Sequence, residues 1–184
     1  MCLTKTINPV NQNIMQSNRW STAATSGILL ALVTIISFLV QSVLQPGKVI
    51  NLAIWAIKAV GSIWLLLYFI KEYAKPFDLF TYKDGFRYGL LVAFFSSLLC
   101  ASYLFLQYTV IFPESFATQM DQVMEAMLAT NPDAADGLEK IGPRLPQLIF
   151  VFTLIYYTII GAIASAIIAN YTKKGSIFDE STNL

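Results

Sequence analysis

The chain has 184 residues, 56% of them hydrophobic and only 12% charged, with 12 Lys and Arg against 11 Asp and Glu, a formal net charge of +1 and no histidine. Charge that sparse is about half the share of an average soluble domain. It excludes a global basic field for nucleic acid and, with histidine, the usual general base and metal ligand. The length sets one domain over residues 1–184 as the expectation, and the long uncharged runs make it an integral membrane domain.

Residues 1–19 are polar, with Lys5 and Arg19 as their basic residues, and are expected to be weakly structured. Cys2 follows no apolar leader, so a plain thiol is expected there rather than a lipid anchor. Cys100 sits inside an apolar run, which argues against a structural disulfide. The first span covers about 20–44, with Trp20 suited to the membrane interface. It is too long for a signal-peptide core and is expected to be retained. Gln45-Pro46-Gly47 reads as a tight turn, so the second span, about 49–70, runs antiparallel to the first. Lys58 interrupts that span. The apolar run after it is too short to cross alone, so Lys58 belongs inside the helix.

Residues 77–87 read as a mixed amphipathic segment, and the third span as about 88–112. An outer loop covers 113–145. In it Phe116, Met120, Val123, Met124, Met127 and Leu128 recur at helical spacing, with Asp121 and Glu125 facing away. That pattern predicts a helix lying on the membrane or on the spans. Asn131-Pro132-Asp133 reads as the cap of a second short helix reaching Lys140, which Gly142-Pro143 stops. The fourth span, about 146–171, is uncharged from Arg144 to Lys173. The expected fold is all-α: a four-helix transmembrane bundle with an amphipathic helical loop between spans three and four.

Basic residues near the span ends set orientation. Lys5, Arg19, Lys71, Lys75, Lys83, Arg87, Lys173 and Lys174 fall on one side, and Lys48, Lys140 and Arg144 on the other. Both termini are therefore expected in the cytoplasm and the acidic loop outside. The localisation implied is multi-pass, in an inner (plasma) membrane.

Four spans, a basic second connection and a long third loop resemble an uncharacterised bacterial inner-membrane family, domain of unknown function 4199. The residues that carry the resemblance are Phe80-Thr81-Tyr82-Lys83-Asp84-Gly85-Phe86-Arg87-Tyr88-Gly89, Pro113, and 161–170 followed by Lys173-Lys174. The resemblance implies an integral membrane protein and supplies no activity and no catalytic residues.

Lys58 is the sharpest candidate. A charge at mid-helix in lipid costs at least about 2.5–3.5 kcal/mol, and Lys58 lies about 14 Å from the outer end of its helix. Two readings are open: a binding or relay site, or a stem packed on apolar surface with the ammonium snorkelling outward. Gln41, Gln107, Tyr108, Tyr156 and Tyr157 fall in the same outer half. With Lys58 they define a candidate polar cavity, or else a set of interhelical hydrogen bonds. Gly161, Ser165 and Ala169, each four apart, form a helix-packing face, used within one bundle or between copies. Phe116, Met120, Met124 and Met127 form a stripe that either docks on its own spans or meets a partner. Lys71, Lys75, Lys83 and Arg87 offer a contact for anionic lipid as well as a topology signal.

No phosphate-cradling glycine loop with lysine and no GxSxG elbow occurs. Ser62, Ser96 and Ser97 have no base placed beside them. No enzymatic activity, cofactor or metal is expected. The expected role is association, with itself or as a subunit of an envelope complex, in contact with membrane lipid and not with nucleic acid. The alternative is a small transporter or channel around Lys58.

Overall fold

The computed structural model describes residues 9–44, 47–77, 79–130, 137–138 and 140–174. It is all-α. Five long helices follow in order: α1 (Pro9–Leu44), α2 (Lys48–Ala74), α3 (Tyr82–Leu106), α4 (Pro113–Thr130) and α5 (Leu145–Thr172). Four of them are long and apolar enough to cross a membrane, over Asn18–Leu44, Val49–Ala74, Tyr82–Ile111 and Gly142–Thr172. Helices suit that setting because every backbone hydrogen bond is made within the segment.

The boundaries depart from the sequence expectation in three places. First, α1 starts at Pro9, so residues 9–19 are helical rather than weakly structured. Proline at a first helical position lacks an N–H that would be unpaired there anyway. Second, α3 starts at Tyr82, six residues before the expected span. Thr81 caps it: Asp84 N–H donates to Thr81 Oγ1 at 3.3 Å, and Thr81 Oγ1 donates to Asp84 Oδ2 at 2.6 Å. That is a reciprocal capping arrangement with aspartate in the third helical position. Third, the α-helical residues before Gly142-Pro143 do end at Ile141, but no loop separates that stop from the fourth span. Gly142–Arg144 forms a single 3-10 turn that runs straight into α5. Lys58 lies within α2, as the span-length argument requires. The suggested turn at Gln45-Pro46 and the cap at Asn131-Pro132-Asp133 lie outside the described residues, as do Cys2 and Lys5.

By its internal contacts the chain forms two compact units, residues 1–96 with 158–184, and residues 97–157. In the first, α1, α2, the start of α3 and the end of α5 share one core. It holds Ala23, Leu30, Leu66, Phe69, Ile70, Ala74, Phe80, Tyr88, Val92 and Ile168. Beside it α3 and α5 meet over small residues. A Cβ added at Gly161 would overlap Ala93 Cβ, and one at Gly89 would stand 2.5 Å from Ser165 Oγ. One at Gly85 would stand 3.2 Å from Ala169 Cβ. Gly85, Gly89 and Ala93 thus run antiparallel to Ala169, Ser165 and Gly161, four residues per step on each helix. Close backbone approach of this kind holds helices together where lipid supplies no hydrophobic drive.

α1 reaches α3 in the same way. A Cβ at Gly27 would stand 2.6 Å from Phe95 Cβ and 3.0 Å from the Val92 carbonyl oxygen. A two-residue antiparallel bridge closes the unit: Phe80 N–H donates to Lys174 O at 3.1 Å, and Lys174 N–H to Phe80 O at 2.9 Å. Lys174 Nζ then donates to Ala74 O at 3.1 Å. That carbonyl also accepts from Phe77 N–H at 3.3 Å, so Lys174 is its second donor, and a cation there suits the helix's negative pole.

In the second unit α3 ends in a π-helical turn, Gln107–Ile111, with Phe112 N–H donating to Gln107 O at 2.8 Å. Thr109 Oγ1 donates to Phe105 O at 2.7 Å. It is the same bond to the carbonyl four residues back that Thr22, Ser37 and Thr118 make within the α-helices. Pro113, which has no N–H to continue the ladder, opens α4.

The contrast between glycines gives a stability test. Gly89→Leu forces two backbones apart and is expected to cost at least the 1–3 kcal/mol typical of overpacking, about. Gly61 meets nothing within 4 Å, so Gly61→Ala is expected to be neutral or stabilising by roughly 0.5–1 kcal/mol. Thermal unfolding of both variants in one detergent measures the difference.

Candidate functional site

The six residues of the suggested polar cavity divide between the units. Lys58 and Gln41 belong to the first, and both are half-buried. Lys58 Nζ stands 4.7 Å from the centroid of the Phe38 ring. A cation over an aromatic face is stabilised by roughly 0.5–2 kcal/mol, more as water is removed. Gln107, Tyr108, Tyr156 and Tyr157 belong to the second unit. Gln107 is buried at the first position of the π-turn, and Tyr108 next to it packs on Phe116 with ring centroids 5.0 Å apart. Tyr156 is exposed and meets half-buried Tyr157 edge-on at 5.5 Å.

The stripe on α4 is half-covered. Phe116, Met120, Met124 and Met127 are all half-buried, while Asp121, Val123, Glu125 and Leu128 are exposed. Phe116 on Tyr108 shows what covers its first turn. The face formed by Gly161, Ser165 and Ala169 is occupied by α3. Ser165 Oγ is fully buried and makes no hydrogen bond among the described residues. It faces the place where a side chain on Gly89 would begin, 2.5 Å from an added Cβ.

A cavity of about 250 Å³ lies at the other end of the first unit from Lys58. Phe69, on its floor, is eleven residues along α2 from Lys58, about 16 Å. Its lining combines two helix faces. Asn18, Thr22 and Ser26 come from α1 at a spacing of four, and Phe69, Glu72 and Tyr73 from α2, with Pro76 and Phe77 following and Tyr88 from α3. Asn18, Glu72 and Pro76 are exposed and form the mouth. Ser26, Phe69 and Tyr88 are buried and form the floor, with Thr22, Tyr73 and Phe77 half-buried between them.

The aromatic wall is rigid. Tyr73 and Tyr88 stack with centroids 3.9 Å apart and planes within 2°, and Phe77 lies 5.3 Å from Tyr73. Each phenol is held by its own partner. Ser26 Oγ is 3.0 Å from Tyr88 OH. Arg19 Nε donates to Tyr73 OH at 3.3 Å. The same guanidinium lies 3.9 Å from Asp84, the carboxylate that caps α3. A charge at the membrane interface is therefore compensated by a carboxylate and a phenol, and three helices are tied together by it.

Of the residues that line the cavity, Glu72 is the one with a formal charge. It pairs with Lys75 at 2.6 Å, and the carboxylate holds the Lys75 ammonium above the usual lysine range. The pair is exposed, so it adds little to stability. That contribution is present at neutral pH and is lost as pH rises through the raised lysine value.

The cavity was not foreseen, although part of its signal stands in the sequence. Asn18, Thr22 and Ser26 form a polar row on one face at the start of an apolar span. What sequence does not give is the Tyr73–Tyr88 stack, which depends on the register of α2 against α3.

No curated protein and no solved structure shows a match to the chain. Residues 23–174 match the family described as Protein of unknown function (DUF4199). The match takes in all four apolar helices, the Thr81–Asp84 cap and both rows of the α3–α5 contact, and the chain belongs to that family.

Proposed function

We propose that this is a non-enzymatic protein of the inner (plasma) membrane that acts through association, with itself or as a subunit of an envelope complex. One observation carries this reading. Over the Lys58 half of α2, Val49, Ile50, Leu52, Trp55, Ile57 and Val60 are all exposed, Val49 by 82% and Ile57 by 73%. Those positions cover an arc of about 220° of the helix, so less than half of its circumference there faces the unit's own core. Lipid covers such a surface adequately, but a helix held along one strip is also the element a neighbouring membrane helix reaches most easily.

Orientation belongs to the same proposal. Arg19, the end of α2, the start of α3 and Lys174 meet at one end of the first unit. Lys71, Lys75, Lys83, Arg87 and Lys173 are exposed on those segments. The positive-inside rule puts that end in the cytoplasm, where the same cations meet anionic lipid.

The second reading, a transporter or channel around Lys58, weakens on the Lys58–Phe38 contact, which gives the lysine a structural place. The contact stabilises by roughly 0.5–2 kcal/mol, less than the at least 2.5–3.5 kcal/mol, about, that a mid-helix charge costs.

Three measurements test these statements. Lys58→Met is expected to raise the unfolding temperature and leave growth unchanged. A growth defect with a stably folded variant would move the balance to transport. For orientation, a membrane-impermeant maleimide applied to intact cells is expected to label Lys140→Cys and to leave Lys174→Cys unlabelled; the reverse pattern would overturn the topology. For association, Trp55→Cys in a background with Cys2 and Cys100 replaced by serine is expected to cross-link in membranes, to itself or to a second protein. Purely monomeric protein at every oxidant concentration, with Ile57→Cys giving the same result, would sink that reading.

A further inference from the structure

We propose that the cavity between α1 and α2 is a binding site for a small organic cation, an ammonium group carrying an alkyl or aryl body. Four observations converge on that class. The one formal charge on the lining is the Glu72 carboxylate, placed at the mouth. Four aromatic rings, Phe69, Tyr73, Phe77 and Tyr88, form the wall and floor, and ring faces attract cations. The polar lining is rich in acceptors, with Asn18, Thr22 and Ser26 in a row opposite those rings. The volume, about 250 Å³, falls just below the roughly 300–1,000 Å³ of typical small-molecule sites, which suits a body of one ring or a short chain.

The nearby cations do not oppose this. Arg19 is turned to Asp84 and the Tyr73 oxygen, behind the wall. Lys75 neutralises Glu72 through an exposed pair, a weak contact that a cation also touching aromatic faces displaces. Lys75 is thus a built-in competitor: it occupies the carboxylate when the cavity is empty. The ammonium would sit at Glu72, and the apolar body would reach down toward Phe69 and the Ser26–Tyr88 pair.

The test uses the full chain in nanodiscs, with benzyltrimethylammonium as probe and two comparison probes, its neutral carbon isostere and benzenesulfonate. Calorimetric titration is expected to show saturable binding of the cation alone. Glu72→Gln is expected to weaken it by about 5–10-fold, Tyr73→Leu by a similar factor, and Lys75→Ala to tighten it severalfold. Lys58→Met is expected to leave it unchanged, and unfolding temperatures check that each variant is folded. Glu72 and Lys75 are exposed, so their variants keep the fold even if Tyr73→Leu does not. Disc composition separates two sources of the same chemistry. A probe affinity that falls in phosphatidylethanolamine discs relative to phosphatidylglycerol discs, by more than the probe's adsorption to protein-free discs of the two compositions differs, identifies a lipid headgroup as the occupant, and a fall no larger than that identifies a free molecule. The proposal is overturned if no probe binds, if the neutral or anionic probe binds as tightly as the cation, or if Glu72→Gln and Lys75→Ala both leave the affinity unchanged.

Discussion

The first half of α3 is the common partner of the first unit, and backbone proximity makes it so. α5 lies against it through Gly85, Gly89 and Ala93, and α1 approaches it at Gly27. α2 meets it through Ile70, whose Cδ1 would stand 2.8 Å from a Cβ at Gly89, and through Tyr73 stacked on Tyr88. In lipid an apolar side chain gains little by leaving solvent for a helix interface, so dispersion contacts over small residues decide which helices stay together. Each step of four residues along the α3–α5 contact keeps the two backbones in register. One larger side chain there would separate them over several turns.

A second constraint acts at the end of the same unit. The end of α2, the start of α3 and the end of α5 all present unpaired backbone groups there. The chain satisfies them with its own charged residues. Thr81 and Asp84 cap α3, Lys174 reaches the Ala74 carbonyl, and the Phe80–Lys174 bridge joins two otherwise irregular segments. Arg19 completes the arrangement from α1 by meeting Asp84 and Tyr73. The basic residues that report topology in the sequence therefore include two, Arg19 and Lys174, that also serve as fastenings.

What a sequence can show here follows from what physics makes local. The four spans were legible because crossing lipid needs about 20 apolar residues, a requirement that involves no partner. The row Gly161, Ser165, Ala169 was legible for the same reason, as a spacing on one helix. Its partner row, Gly85 to Ala93, was not, because pairing two rows requires knowing how the helices are offset. The early start of α3 was hidden because Asp84 looks like a loop charge until Thr81 is seen to bind it. The π-turn at Gln107 was hidden because no glycine or proline marks Gln107–Ile111 as a departure from a regular helix. Lys58 drew attention as an isolated charge. The structure gives it an aromatic face on α1, a contact that depends on Phe38 in a different helix.

The cavity follows from the same division between small and large contacts. Where α3 meets α5 the interface is made of glycine, alanine and serine, and nothing the size of a ligand fits. Where α2 meets the others the interface combines Leu66, Ile70 and Ala74 with the rings of Phe69, Tyr73, Phe77, Phe80 and Tyr88. Rings of that size, two of them held by hydrogen bonds at Tyr73 and Tyr88, cannot close every gap against a helix face built from Asn18, Thr22 and Ser26. A gap lined only by hydrocarbon would be filled by lipid or by repacking. A carboxylate at the mouth and three polar side chains along one wall make this gap unsuitable for an acyl chain. They also keep its mouth wetted, with the buried Ser26–Tyr88 pair already satisfied at the floor. The position that costs the unit its tightest packing is therefore also the one where its polar chemistry is concentrated.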